Sequence, residues 1–157
     1  MKLYHGTNID FKDIDLTKSN KYKDFGQGFY LTDIRSQAEQ LAIKKSRLFG
    51  GEPIVQVYEI NETLLESDNL NILKFERPNT EWAEFIFNNR DENQKFTPSY
   101  DIVYGPIAND YIGLQIRDFK RNNITFEQFL NKIQYHKGIT FQYAFCTKKA
   151  IEKLIRI

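Results

Sequence analysis

The chain has 157 residues, 41% of them hydrophobic, 15% aromatic and 27% charged. That suits one compact domain able to bury about 70% of its unfolded surface, and it is too rich in rings for a disordered chain. Its 22 Lys and Arg against 21 Asp and Glu leave no global field to draw it onto nucleic acid or an anionic membrane. The local basic cluster Lys18, Lys21, Lys23 reads as a solvated loop unless a phosphate-bearing ligand meets it. A single cysteine, Cys146, excludes an internal disulfide, and without a Cys/His cluster no zinc site is expected. "MKLYHGTN" is interrupted too early for a signal peptide, and no stretch approaches the ~20 apolar residues of a bilayer span. The expectation is a cytoplasmic protein with no membrane partner.

In chain order, "KLYH" predicts a short strand ended by Gly6, and "GFYLT" a second strand after the glycine turn of "FGQGFY". Thr32 or Asp33 should cap a helix reaching about Phe49, with Ile34, Ala38, Leu41, Ala42 and Leu48 as its apolar face and Gly50-Gly51 as its stop. "PIVQVYEI" (53–60) predicts a strand, "NETLLES" a short helix and "LNILKFE" a weaker strand. "NTEWAEFIFNNR" predicts a helix capped by Asn79 or Thr80, with Trp82, Phe85 and Ile86 in the core. "DIVYGPIAND" predicts a buried strand broken by Gly105-Pro106, followed by a helix cap at Asn109-Asp110. "TFEQFLNKIQY" is an amphipathic helix, "TFQYAFCT" a last strand and "KKAIEKLI" a closing helix. Strands separated by helices without regular βαβ spacing predict an α+β fold, with residues 1–157 as one domain.

Chemistry-bearing residues are few. His5 ends the first strand beside a glycine that allows close approach of a ligand, whereas His136, in "YHKG", suits a helix C-terminus. Cys146, inside an apolar strand with no electropositive neighbour, reads as an inert thiol. "FGQGFY" lacks the Gly-Lys-Ser/Thr of a Walker loop and precedes a strand instead of following one. Paired carboxylates of the glycosidase kind are not identifiable.

Three separated pieces, "LYHGT", "FGQGFYLTD" and "FQYAFCT", resemble in order and context the ADP-ribosyltransferase superfamily, in its diphtheria-toxin and poly(ADP-ribose) polymerase branch. Within it the chain looks most like a poorly characterised bacterial family sharing "LYHG", "DFGxGFY", "YDIVxGPxAND" and "QYxFxT", over nearly its whole length. The resemblance implies a split core of two small, mostly antiparallel sheets with flanking helices, and NAD as substrate with no metal. It implies that His5 bonds a ribose hydroxyl on the adenosine side and that Gly6 presents its backbone to the nicotinamide carboxamide, with Thr7 assisting. Tyr30 would pack beside the nicotinamide ribose, Gly28 and Phe29 would belong to the floor of the site, and Gln142 falls where these enzymes most often place glutamate.

Two positions depart from that pattern. Leu41 stands where an aromatic often sandwiches nicotinamide, so stacking must come from elsewhere, such as Phe29 or Tyr143. Gln142 can accept a hydrogen bond from the ribose 2′-hydroxyl but carries no charge and cannot act as a base, which argues against poly(ADP-ribose) elongation. Asn109 or Asp110 either lines the site or only caps a helix, and Arg90 either reaches a phosphate or caps its own. The function implied is a mono-ADP-ribosyltransferase acting on an unidentified macromolecular or small-molecule acceptor. The alternatives are an NAD glycohydrolase toxin, with an antitoxin or immunity partner, and a degenerate module that binds ADP-ribose or nucleic acid.

Overall fold

The computed structural model describes residues 1–93, 95–135 and 138–157, so His136 lies outside the described residues. The fold is α+β, built on two small sheets. The first sheet is antiparallel and has the order β1 (Lys2–Thr7), β3 (Ile54–Glu59), β7 (Ile155–Arg156). The second runs β2 (Phe29–Leu31), β6 (Phe141–Phe145), β5 (Ile102–Pro106), β4 (Ile72–Lys74), with only the β4–β5 pair parallel. A single bridge, Tyr4 to Thr32, joins the edges of the sheets.

Leu3, Phe29, Leu31, Tyr58, Ile102 and Phe145 fill one core cluster shared by strands of both sheets. A second cluster, around Phe25, Trp82, Ile86, Val103, Phe129 and Ile133, packs the second sheet under α2 (Thr80–Arg90), α3 (Ile112–Lys120) and α4 (Phe126–Ile133). The helix starts follow local chemistry: Asn79 accepts from the Trp82 N–H, and Thr125 with Gln128 forms a capping box.

Several expectations fail for identifiable reasons. The helix α1 (Arg35–Phe49) begins after Ile34 without a side-chain cap; Thr32 instead accepts from the Ile34 N–H and donates to Gln37. Of its expected apolar face only Ala38 and Ala42 are buried, while Leu41 and Leu48 are 44% and 64% exposed. The cause is β1, which approaches so closely that only alanines fit between strand and helix: a Cβ on Gly6 would lie 2.1 Å from the Ala38 carbonyl oxygen. Nor does Gly6 end β1, which continues to Thr7.

Gly105-Pro106 does not break β5, which runs through Pro106. Tyr104 accepts from the Phe75 N–H, so Pro106, two residues on, turns its missing N–H toward the side where β4 has already ended. The closing helix is one turn, α5 (Lys148–Ile151), after which the chain pairs with the free edge of β3 as β7. The short helix at Glu62–Glu66 is 3₁₀. No helix of the described residues is long and apolar enough to cross a membrane.

Candidate functional site

Strand alternation decides which residues meet. Phe29 and Leu31 enter the core cluster shared by the two sheets, so Tyr30 points to the opposite, helix-covered face. Tyr30 pairs with Ala144, and Gln142, two residues along β6, shares its face. Across the split, Tyr4 spends both backbone groups on Thr32, at 2.8 and 3.0 Å. Gly6, two residues on, therefore turns its N–H and C=O toward the same gap, at the level of Tyr30 in the antiparallel register, where the strands have parted. Gly6, Tyr30 and Gln142, far apart in sequence, thus line one cleft of about 580 Å³, with Leu41 at its side. That volume lies within the ~300–1,000 Å³ usual for small-molecule sites.

Gln142 is held by a carboxylate that sequence reasoning did not single out. Its Nε2 donates to Asp24 Oδ2 at 3.2 Å, while Arg90 donates to Asp24 Oδ1 through Nε at 2.7 Å and sets a terminal nitrogen in ion-pair contact with the same oxygen at 2.6 Å. Asp24 is buried, at 7% exposure. An ionised carboxylate only accepts, so it fixes the amide with nitrogen toward Asp24 and leaves the Gln142 carbonyl oxygen as the acceptor for a ligand in the cleft. Arg90 neither caps its helix nor faces a free phosphate; its place is on Asp24.

Tyr30 is braced by the loop that precedes it. Its hydroxyl donates to the Gly26 carbonyl at 2.7 Å and accepts from the Phe25 N–H at 3.0 Å. Gly26 has φ +81°, and a Cβ there would also press on Asn89 Oδ1 at 2.9 Å, so only glycine suits the turn. Burial, reinforced by Asp24, pushes the phenol well above its ordinary range; Tyr30 offers a packing surface, not a proton. The Lys23 ammonium lies 4.7 Å from its ring centroid.

His5, Thr7, Gly28 and Phe29 line a neighbouring pocket of about 470 Å³ that shares Tyr30 with the cleft. His5 lies 4.4 Å from the Phe29 ring and meets Tyr30 through the backbone, with Nδ1 2.8 Å from its carbonyl oxygen. A carbonyl only accepts, so the neutral ring carries its proton on Nδ1 and keeps Nε2 as an acceptor. Desolvation lowers the His5 pKa to about 4, despite the opposing bond to Tyr30, and Lys45 and Lys23 reinforce the drop. Thr7 closes its own turn with Ile9 instead of reaching into the cleft with Gly6.

A stability test follows from the depressed imidazole. The unfolded chain takes up this proton near the ordinary histidine value of 6.5 and the folded chain only at about 4, so stability is lost as pH falls through that window and is restored above it. At about 1.4 kcal/mol per unit, the contribution is a few kcal/mol at most. Chemical denaturation of His5→Asn between pH 4 and 7 should show a shallower slope than wild type; an identical slope would remove His5 as its source.

Other expected residues do not join the site. Asn109 spends its amide nitrogen on the Lys132 and Gln134 carbonyls and its oxygen on the Tyr111 N–H, and Asp110 lines the cleft instead. Tyr143 is stacked on Tyr104 at 5.2 Å and Phe29 faces His5, so neither replaces the aromatic missing at Leu41. Tyr4 and Tyr135 line the cleft and supply rings there. Tyr4 stood inside "LYHG" and Asp24 directly before "FGQGFY" without being singled out, and Tyr135 had no sequence signal. The Cys146 thiol, pushed up to about 12 chiefly by burial, is no nucleophile. Among the described residues no His, Cys, Asp and Glu cluster could hold a metal ion.

No curated protein and no solved structure matches the chain. A family model described as "Protein of unknown function (DUF3990)" matches residues 1–155, and the chain therefore belongs to that family.

Proposed function

We propose that the protein is an NAD-dependent mono-ADP-ribosyltransferase, moving ADP-ribose from NAD to an acceptor with release of nicotinamide. The observation that carries this reading is the convergence of Gly6, Tyr30 and Gln142 on one cleft where the two sheets part. The Gly6 N–H, turned to the gap, suits the oxygen of a carboxamide, while the Gly6 carbonyl is held by Lys45 Nζ at 2.8 Å. Tyr30, Tyr4 and Tyr135 offer ring surface to nicotinamide and ribose.

In the reaction the bond between ribose C1′ and the nicotinamide nitrogen breaks, and its electron pair leaves with the ring, which becomes neutral. The sugar passes through an oxocarbenium-like state until an acceptor oxygen or nitrogen bonds C1′ and gives up its proton. Orientation supplies much of such catalysis. Gln142, its amide fixed by Asp24, would hold the ribose 2′-hydroxyl through its carbonyl oxygen.

Purified protein incubated with labelled NAD and cell extract tests the reading. Nicotinamide release with labelled product supports transfer, and release without it makes water the acceptor. Gln142→Ala should lower release by about tenfold or more, the range lost with one transition-state hydrogen bond. Absence of NAD binding in wild type would overturn the proposal.

A further inference from the structure

The pocket on the His5 side contains cations that the proposed chemistry in the cleft does not use. Lys45, from α1, reaches the Gly6 carbonyl at 2.8 Å, and Lys23, from the loop before β2, sits over the Tyr30 ring. Both side chains line this pocket and are half-buried. Among the described residues neither ammonium lies within ion-pair distance of a carboxylate. Two of the nearby acids are otherwise occupied: Asp24 by Arg90 and Gln142, and Asp15 at the rim by the N–H and hydroxyl of Thr17. Asp13 also lines the rim. Lys18 stands there as well, on a segment that Gln27 fastens by donating to the Leu16 and Ser19 carbonyls.

Position gives these lysines their meaning. Tyr30 lines both the cleft and the pocket, and Gly6 lines the cleft, so Lys23 on Tyr30 and Lys45 on Gly6 stand where the two cavities join. We propose that Lys23 and Lys45 form a diphosphate subsite at this junction, taking the pyrophosphate bridge of a dinucleotide whose two ends occupy the two cavities. Naming the whole ligand as a dinucleotide rests on the NAD reading; recognition of the diphosphate does not.

Burial and repulsion from neighbouring cations already act on the pair. Desolvation, then Lys23, lowers the pKa of Lys45; desolvation, then Arg90, lowers that of Lys23 against the opposing pull of Asp24. A dianionic bridge between them relieves both costs, because charge-assisted hydrogen bonds in a partly desolvated site are stronger than those in water. His5 Nε2, an acceptor beside them, selects a ligand whose phosphate is followed by a hydroxyl-bearing sugar. Rings of Phe11 and Phe29 complete a wall that inorganic phosphate does not use.

Isothermal titration of wild type with ADP, inorganic pyrophosphate and adenosine tests this without any variant. ADP should bind at least tenfold more tightly than adenosine, with affinity falling as salt rises. Pyrophosphate should bind measurably and compete with ADP. Lys45→Gln, which keeps a donor for Gly6, and Lys23→Gln should each weaken ADP about tenfold, with Lys153→Gln as the neutral control. Lys45→Arg should restore affinity. Equal binding of adenosine and ADP, or unchanged ADP affinity in both glutamine variants, would overturn the subsite. The two readings also fail separately. Tight ADP binding without NAD cleavage retains the subsite and defeats the transferase, whereas NAD cleavage with unchanged KM in Lys23→Gln and Lys45→Gln does the reverse.

Discussion

Asp24→Asn is expected to reduce nicotinamide release by about a hundredfold, more than removal of the Gln142 side chain itself. The carboxylate does two things that an amide cannot do together. It pairs with Arg90 through both guanidinium contacts, and as a pure acceptor it forces Gln142 to present nitrogen inward and oxygen to the cleft. Asparagine can donate as well as accept, so the Gln142 amide loses its reason to keep one orientation. The local negative charge also disappears, leaving Arg90 as an uncompensated cation near a developing oxocarbenium. Loss of one preorganised electrostatic group costs on the order of 10²–10³ in rate in comparable sites.

Stability should fall less than for a fully buried pair, for which about 3–5 kcal/mol is usual, because the Arg90 side chain is 33% exposed and can turn to water. The measurement is a KM and kcat split beside a thermal unfolding curve. A fall in kcat in a folded variant supports the positioning role of Asp24. Unchanged kcat would remove Asp24 from the proposed mechanism, and an unfolded variant would transfer the test to Arg90→Lys, which keeps the charge but loses the paired contacts.

How much of this was legible in the sequence follows from how local each signal is. Caps, turns and amphipathic runs are local, so Asn79, the amphipathic helix α4 and the strands around Tyr30 and Gln142 were recoverable from their neighbours. The end of the chain was not: Ile155–Arg156 continues a helical pattern and becomes a strand because the edge of β3 is free to receive it. Likewise α1 has a helical apolar face that its helix does not bury, since the distance to β1 is set by Gly6 and not by the helix. In the site, Gly6, Tyr30 and Gln142 were marked by motif, but Asp24 with Arg90 is a contact across 66 residues. No spacing rule announces such a pair. Tyr135, outside every motif, entered the cleft only through the way the sheets part.

Gly6→Ala is expected to be among the most damaging single-methyl additions the fold can suffer, and Gly113→Ala among the most benign. At Gly6 the backbone conformation would admit alanine, so the cost is purely steric. The new Cβ would meet the Ala38 carbonyl oxygen at 2.1 Å and the Ala42 nitrogen at 2.9 Å, all helix backbone with no flexible side chain to yield. Relief requires α1 to move off β1, which strains the Lys45 contact to the Gly6 carbonyl and opens the packing of Ala38 and Ala42. Overpacking against side chains costs about 1–3 kcal/mol, and a clash with backbone should reach or exceed the upper end. For a chain of this size that is a fall in Tm of roughly 10 °C. At Gly113, in the first turn of α3, a Cβ would meet nothing within 4 Å, and alanine should raise stability by about 0.5 kcal/mol through helix propensity, which is weaker there than in a helix interior. The same substitution should therefore move Tm in opposite directions at the two sites. Because Gly6 lies between helix and cleft, the variant should also weaken nicotinamide binding at temperatures where it is still folded; a Gly6→Ala protein with wild-type Tm and wild-type binding would mean that strand and helix do not meet as closely as their backbone contact requires.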